Sequence, residues 1–206
     1  MTNRSKGFSQ RDDNPFKLVN ADSATILNSI KAANYGDHNL VVYPCLGRFE
    51  EFYIECCKDS ILQRNDVFIL VTFYQQASAV RKKLYQAGID TARYEIAWSL
   101  VIIDSEAAYQ RALEEPEKYP INNLITIMTS QLGARGKKGI TILADLGVFV
   151  LNNRITDLLS YELSIPLRFN SHVRFICFYH KEDFNAVQQE QRKRICSHHF
   201  NNLIVS

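Results

Sequence analysis

The sequence predicts a three-layer α/β/α fold around a mostly parallel central sheet of about six strands. Two observations carry this expectation. Short apolar, β-branched runs recur along the chain, and stretches with helical spacing of apolar residues separate them. The runs are apolar at consecutive rather than alternate positions, which is what a strand covered on both faces requires. No internal repeat, low-complexity tract or domain boundary breaks the alternation, so residues 21–206 read as one domain.

Taken in order, residues 1–20 are polar (Arg, Lys, Asp, Asn, Ser), show no apolar periodicity and read as a flexible tail. Ser23 is placed to cap a short helix carrying Ile26, Leu27 and Ile30, which ends near Gly36. Asn39 to Tyr43 is a strand stopped by Pro44, and residues 48–63 switch to helical spacing with Phe49, Phe52, Tyr53, Cys56 and Ile61 on one face. Cys56 and Cys57 read as helical residues, at least one of them facing the core. Val67 to Val71 is the second strand, followed by a helix from Gln76 to Ala87 that Gly88 closes. Leu100 to Ile103 is the third strand, ending at Asp104. A proline-punctuated loop, Glu114 to Pro120, then leads to a helix with Ile121, Leu124, Ile125, Met128 and Leu132 on one side.

Gly139 opens the fourth strand, Ile140 to Ala144, which ends at Asp145. A helix over residues 151–164 follows, with Leu151, Ile155, Leu158 and Leu159 forming one apolar stripe. Glu162 falls on that stripe, four residues after Leu158 and seven after Ile155. A carboxylate at that angle should be at least half buried, and must then be paired, hydrogen-bonded or protonated. Val173 to Tyr179, a helix over 183–196 and a last strand, Leu203 to Val205, complete the chain.

Composition excludes several classes of function. The 206 residues carry 24 Lys+Arg against 22 Asp+Glu, a formal charge of +2, which argues against a dedicated nucleic-acid binder. The runs Arg81-Lys82-Lys83 and Arg192-Lys193-Arg194 lie on expected helices and read as solvated faces. No apolar run approaches the roughly 18 residues of a membrane span. The amino terminus lacks the apolar stretch of a secretory signal, and five cysteines do not suggest a disulfide scaffold. The expectation is a soluble, cytoplasmic protein.

In parallel sheets, ligands collect beyond the carboxyl ends of the strands. Those ends offer Tyr43, Thr72, Tyr74, Asp104, Asp145, Tyr179 and His180, with no nucleophile–base pair among them. A phosphate-binding loop should follow the first strand as Gly-x4-Gly-Lys-Ser/Thr. That place holds Pro44-Cys45-Leu46-Gly47-Arg48-Phe49-Glu50, with no Lys and with Glu50 and Glu51 set to repel phosphate. Gly133-Ala134-Arg135-Gly136-Lys137-Lys138 precedes a strand instead of following one, and reads as a helix end and turn. Cys177, His180, Cys196, His198 and His199 match no common zinc module. Cys177 and His180, three apart on a strand, point to opposite faces. Neither a cofactor nor a metal is expected from spacing alone.

A family resemblance runs from residue 21 to 206. Gly36-Asp37-His38 before the strand Leu40 to Tyr43 resembles the opening of the MEDS domain, the sensory domain of DcmR-like regulators of methanogens and methylotrophs. Leu158-Leu159-Ser160-Tyr161-Glu162 resembles the family's Leu-Leu-x-Tyr-Glu helix. Cys177-Phe178-Tyr179-His180 with Phe184 resembles its Cys-x-Tyr-Asp strand end, and His198-His199 before Leu203-Ile204-Val205 resembles its terminal histidine. His180 stands where the family has Asp, and Ala144-Asp145-Leu146 where it has Gly-Glu-Met.

The resemblance implies a relative of the KaiC and RecA ATPase fold without its phosphate loop, and a role in sensing a small molecule and passing the signal on. Candidate binding residues, from strand ends and resemblance together, are Tyr43, Asp104, Asp145, Tyr161, Glu162, Cys177, Tyr179 and His180. DcmR-type regulators also carry a DNA-binding module, for which the tail here is too short, so output is expected through a separate protein partner. The expected function is thus non-enzymatic sensing of a small ligand or protein partner. The alternatives are a divergent nucleotide-binding enzyme, with Asp104 and Asp145 holding a metal–nucleotide complex, and a subunit that assembles with itself or another chain.

Overall fold

The computed structural model describes residues 18–114, 121–169 and 172–206. Within these residues seven strands form one sheet: β1 (Leu18–Ala21), β2 (His38–Tyr43), β3 (Val67–Thr72), β4 (Leu100–Asp104), β5 (Ile140–Asp145), β6 (Val173–His180) and β7 (Asn201–Val205). Their order is β1-β7-β2-β6-β5-β3-β4, and every neighbouring pair is parallel. The sequence count of six missed β1, three of whose four residues lie within the stretch read as tail. It has four residues, two of them exposed, and pairs on one side only, with β7.

Among the described residues, ten α-helices accompany the strands. The helices α1 (Ser23–Ala32), α2 (Leu46–Lys58), α3 (Ala77–Gln86) and α4 (Thr91–Ile96) cover one face. The helices α5 (Ser105–Glu114), α6 (Ile121–Ser130), α7 (Gly147–Leu151), α8 (Ile155–Ser164), α9 (Lys181–Ala186) and α10 (Gln189–Ser197) cover the other. The strand order explains the division. From β1 to β4 the chain moves across the sheet in one direction and from β4 to β7 it returns, and right-handed crossovers then place the two sets of helices on opposite faces.

Strand residues alternate between two cores. Leu40, Val42, Phe175, Cys177 and Tyr179 point toward α5–α10, while Val41, Tyr43, Ile176 and Phe178 point toward α1–α4. Cys56 and Cys57 are both buried.

Several local expectations are corrected. The cap of α1 is Asp22, whose carboxylate accepts from Thr25 N at 3.0 Å, rather than Ser23. The helix expected over 48–63 ends as α at Lys58 and continues as a π-turn, Asp59–Arg64, closed by Asn65 at φ +62°. The helix expected over 151–164 is broken at Asn152–Arg154, where Asn153 adopts φ +54°. Leu151 therefore leaves the apolar stripe and is 57% exposed. The helix expected over 183–196 divides into α9 and α10. Between Leu132 and Lys138 the chain forms a 3-10 turn and Gly136 at φ +63°, the turn expected there. Among the described residues, no helix is long and apolar enough to cross a membrane.

Candidate functional site

The candidate binding residues divide between the two faces of the sheet. Glu162 is fully buried, as its phase on the helix requires, and Tyr161, Cys177 and Tyr179 are buried with it on the α5–α10 side. The Glu162 carboxylate accepts a short hydrogen bond from the Tyr179 hydroxyl through Oε1. Its other oxygen, Oε2, lies 3.7 Å from Cys177 Sγ. The Tyr161 ring packs on Tyr109 and Phe149, with centroids 4.9 and 5.6 Å away, and so backs the site.

Two histidines complete the group. His38 opens β2, and the register Leu40↔Cys177 places it one alternation upstream of Cys177 on the same face. Its Nε2 is 3.3 Å from Cys177 Sγ and 3.9 Å from Glu162 Oε2. His199, just before β7, donates through Nδ1 to the Ile195 carbonyl at 2.8 Å. That contact assigns its tautomer and leaves the Nε2 lone pair facing Glu162 Oε2, 3.3 Å away, with no hydrogen bond formed.

Burial governs the charges. It pushes the Glu162 carboxyl up to about 7, against the opposing pull of the Tyr179 and Cys177 hydrogen bonds. It drives His199 down to about 3, and His38 falls well below its usual value through burial and the nearby His199 and His198. Both imidazoles are therefore neutral at pH 7, and their contacts with Glu162 are not ion pairs. Burial also holds Cys177 as a thiol. The face thus carries two neutral imidazoles, a thiol and a carboxyl with their donor atoms converging inside an apolar core.

The remaining candidates lie at the carboxyl edge. β2 exits toward α2 on one face and β6 toward α9 on the other, so the crevice between their ends is a topological switch point. Tyr43 and His180 are register partners there, with ring centroids 5.4 Å apart. Asp145 is buried next to it, its Oδ1 accepting from Gly147 N at 3.1 Å. Burial raises Asp145 to about 7, partly offset by the backbone N–H groups of Gly147, Tyr74 and Phe73. Tyr74 fills the space above Gly147, where an added Cβ would come within 2.6 Å of its ring, and donates a short hydrogen bond to Asp183. His180 accepts from Glu182 N at the start of α9.

Asp104 joins neither group. It ends the edge strand β4, is exposed, and caps α5 by accepting from Glu106 N at 3.0 Å. Cys177 and His180 do point to opposite faces. Sequence spacing missed His38 as a partner of Cys177, and set His199 aside because its spacing from Cys177 matches no common zinc module. The only signals for them were Gly36-Asp37-His38 and His198-His199.

The fold and these contacts define a doubly wound α/β domain with a converging, buried polar site. A family profile described as MEDS, the MEthanogen/methylotroph, DcmR Sensory domain, matches residues 37–199, and the chain belongs to that family. The matched span opens one residue before His38 and closes on His199. The family is one of sensory domains, in keeping with a sensory or signalling role. No curated protein matches the chain.

Proposed function

We propose that the protein is a non-enzymatic sensory domain. On this reading, its ligand is held by the buried group His38, Glu162, Cys177 and His199, and its output surface is the carboxyl edge of β2 and β6. The observation that carries this is an inward nitrogen, His199 Nε2, fully buried and without a hydrogen bond among other polar donors. Most buried polar groups are hydrogen-bonded, and this unbonded nitrogen converges with donor atoms of three further residues.

Tyr179 supplies the link between the two regions. Its hydroxyl is bonded to Glu162 and its ring packs edge-on against Phe184 of α9, 5.4 Å between centroids. A change at Glu162 therefore reaches α9, and with it Asp183 and Tyr74 at the edge where a protein partner would dock. A cleft of about 330 Å³ lined by Leu18, Phe184, Gln189, Arg192, Lys193 and Cys196 reaches the same Phe184 from solvent. The lost phosphate loop and the KaiC/RecA kinship belong to this reading. In support, Glu50 is engaged by Lys83 and Gln75 at the start of α2, and Arg48 is taken up by Glu51. The nucleotide-enzyme alternative needs Asp104 beside Asp145, and Asp104 instead caps α5 two strands away. Free thiols at buried positions suit the reducing cytoplasm.

A thermal-shift screen of small apolar compounds, ATP and GTP tests the proposal. A sensed ligand at 100 times its Kd should stabilise the fold by about 2.7 kcal/mol, and the nucleotides should leave it unmoved. Magnesium-dependent micromolar binding of ATP by calorimetry would refute it.

A further inference from the structure

The converging group has the donor types and the spacing of a transition-metal site. Zinc-class bonds of about 2.0–2.1 Å to nitrogen, 2.0–2.2 Å to oxygen and 2.3 Å to sulfur imply tetrahedral ligand–ligand edges of about 3.3–3.7 Å. His38 Nε2 to Cys177 Sγ is 3.3 Å, His199 Nε2 to Glu162 Oε2 is 3.3 Å, and Cys177 Sγ to Glu162 Oε2 is 3.7 Å. His38 Nε2 to Glu162 Oε2 is 3.9 Å, and one ligand atom from each of the four residues lies within 4.8 Å of all the others. Four separate segments supply them: β2, α8, β6 and the turn before β7.

The surroundings independently point to a ligand. His199 uses Nδ1 on a backbone carbonyl, which aims its unbonded Nε2 inward. Tyr179 holds Oε1 of Glu162, which turns Oε2 inward. Such outer contacts are the ones that orient metal-bound imidazoles and carboxylates. A plain hydrogen-bond network does not explain them, because the inward nitrogen has no partner and the thiol–carboxyl contact is long.

We propose that His38, Glu162, Cys177 and His199 bind one divalent transition ion of the zinc class, and that this ion is what the sensory domain holds. The second clause rests on the sensory reading above, and the first stands without it. The mixed nitrogen, sulfur and oxygen donor set suits zinc, cobalt or a neighbour in the series, and not magnesium or calcium, which take oxygen ligands. On binding, Cys177 releases its thiol proton to solvent, Glu162 releases whatever proton its carboxyl carries, and both bind as anions. Two negative ligands then balance the two charges of the ion, so the buried site is neutral overall. No oxidation or reduction is involved.

The test is titration of the chelator-stripped full chain with Co2+ alone. The expected result is one ion bound per chain, with visible bands of tetrahedral cobalt and a near-ultraviolet sulfur-to-cobalt charge-transfer band, both displaced by equimolar Zn2+. Cys177→Ser should abolish the charge-transfer band, and Tyr179→Phe, which removes a positioning contact, should weaken affinity about 10–100-fold. Cys196→Ser, a buried thiol outside the four, should keep the band. Absence of stoichiometric cobalt binding by the unmodified chain overturns the proposal even if a variant misfolds. So does survival of the charge-transfer band in a folded Cys177→Ser protein. If cobalt fails while a small organic compound raises Tm in the screen, the metal site falls and the sensory reading stands.

Discussion

Asp145→Asn should make the protein more stable at neutral and alkaline pH, and the size of the gain follows from burial. Asp145 is 0% exposed, and its carboxyl is pushed from 3.8 to about 7, chiefly by desolvation. The folded state therefore keeps the proton up to about pH 7, while the unfolded chain loses it near 3.8. Between those values the folded state binds more protons, so this group makes stability fall as pH rises, by about 1.4 kcal/mol per unit. Its contribution is harmless below the unfolded pKa, and above pH 7 the full cost, up to about 4 kcal/mol, is present. Asparagine is isosteric, cannot ionise, and can keep its oxygen on Gly147 N. Urea unfolding followed by circular dichroism, from pH 5 to pH 8 with m held constant, should show the variant gaining on wild type by about 3 kcal/mol across that range. Glu162 has a raised pKa as well, but it is common to both proteins and cancels in the difference. Parallel stability curves for the two proteins would show that Asp145 is not held protonated, and a variant weaker at pH 8 would show that the carboxylate is wanted as such.

Three further outcomes are expected. Arg174→Met should cost about 3–5 kcal/mol in a chemical denaturation curve, because it leaves the buried carboxylate of Asp66 without its cation, 3.7 Å away. Gly36→Ala should lower Tm by several degrees, since Gly36 sits at φ +97° and an added Cβ would meet the Phe169 carbonyl at 2.9 Å. Gly88→Ala, at φ +86° with nothing near its Cβ, should lower Tm by less. Glu162→Ala should destabilise the metal-free protein by roughly 1–3 kcal/mol by orphaning the Tyr179 hydroxyl, and Glu162→Gln, which retains an acceptor, should cost less, both read from denaturant midpoints.

How much of this was legible in the sequence depends on the range of the interaction concerned. The core strands were readable because each is apolar at successive positions, a property local to five or six residues. The burial of Glu162 was readable for a similar reason, its distance from Leu158 and Ile155 on one helix. The break at Asn152–Arg154 was not, because the apolar spacing carries across it while Asn153 takes up a left-handed conformation. Strand β1 was illegible because pairing with β7, at the far end of the chain, makes it a strand. His38 shows the limit most clearly. It lies 139 residues from Cys177, and only the β2–β6 register brings the two together. Spacing rules for metal modules look for ligands close in sequence, and a site assembled by sheet register escapes them.

Strand β6 also carries buried polarity of two kinds within one element. Arg174 and Cys177 point to opposite faces, and each is the centre of a buried polar group. Every nitrogen of the Arg174 guanidinium has a partner: Nε and Nη2 bond Thr141 at 3.1 and 2.7 Å, Nη2 also meets Asp59 and Ser60 at 3.3 Å, and Nη1 donates to the Lys31 carbonyl at 3.4 Å. Asp66, beside it, is bonded by Tyr35 and Thr141. A fixed cation with carboxylate and hydroxyl partners is complete as it stands, and ties β6 to β5 and to the π-turn after α2. The group around Cys177 has no such closure. Its imidazoles are neutral, one inward nitrogen is unbonded, and no cation among its members balances Glu162. The same strand thus contributes a finished ion network on one side and, on the other, a set of donors that a single divalent cation would complete. If stability had been the only demand on that second face, apolar residues of similar volume would have met it at lower cost.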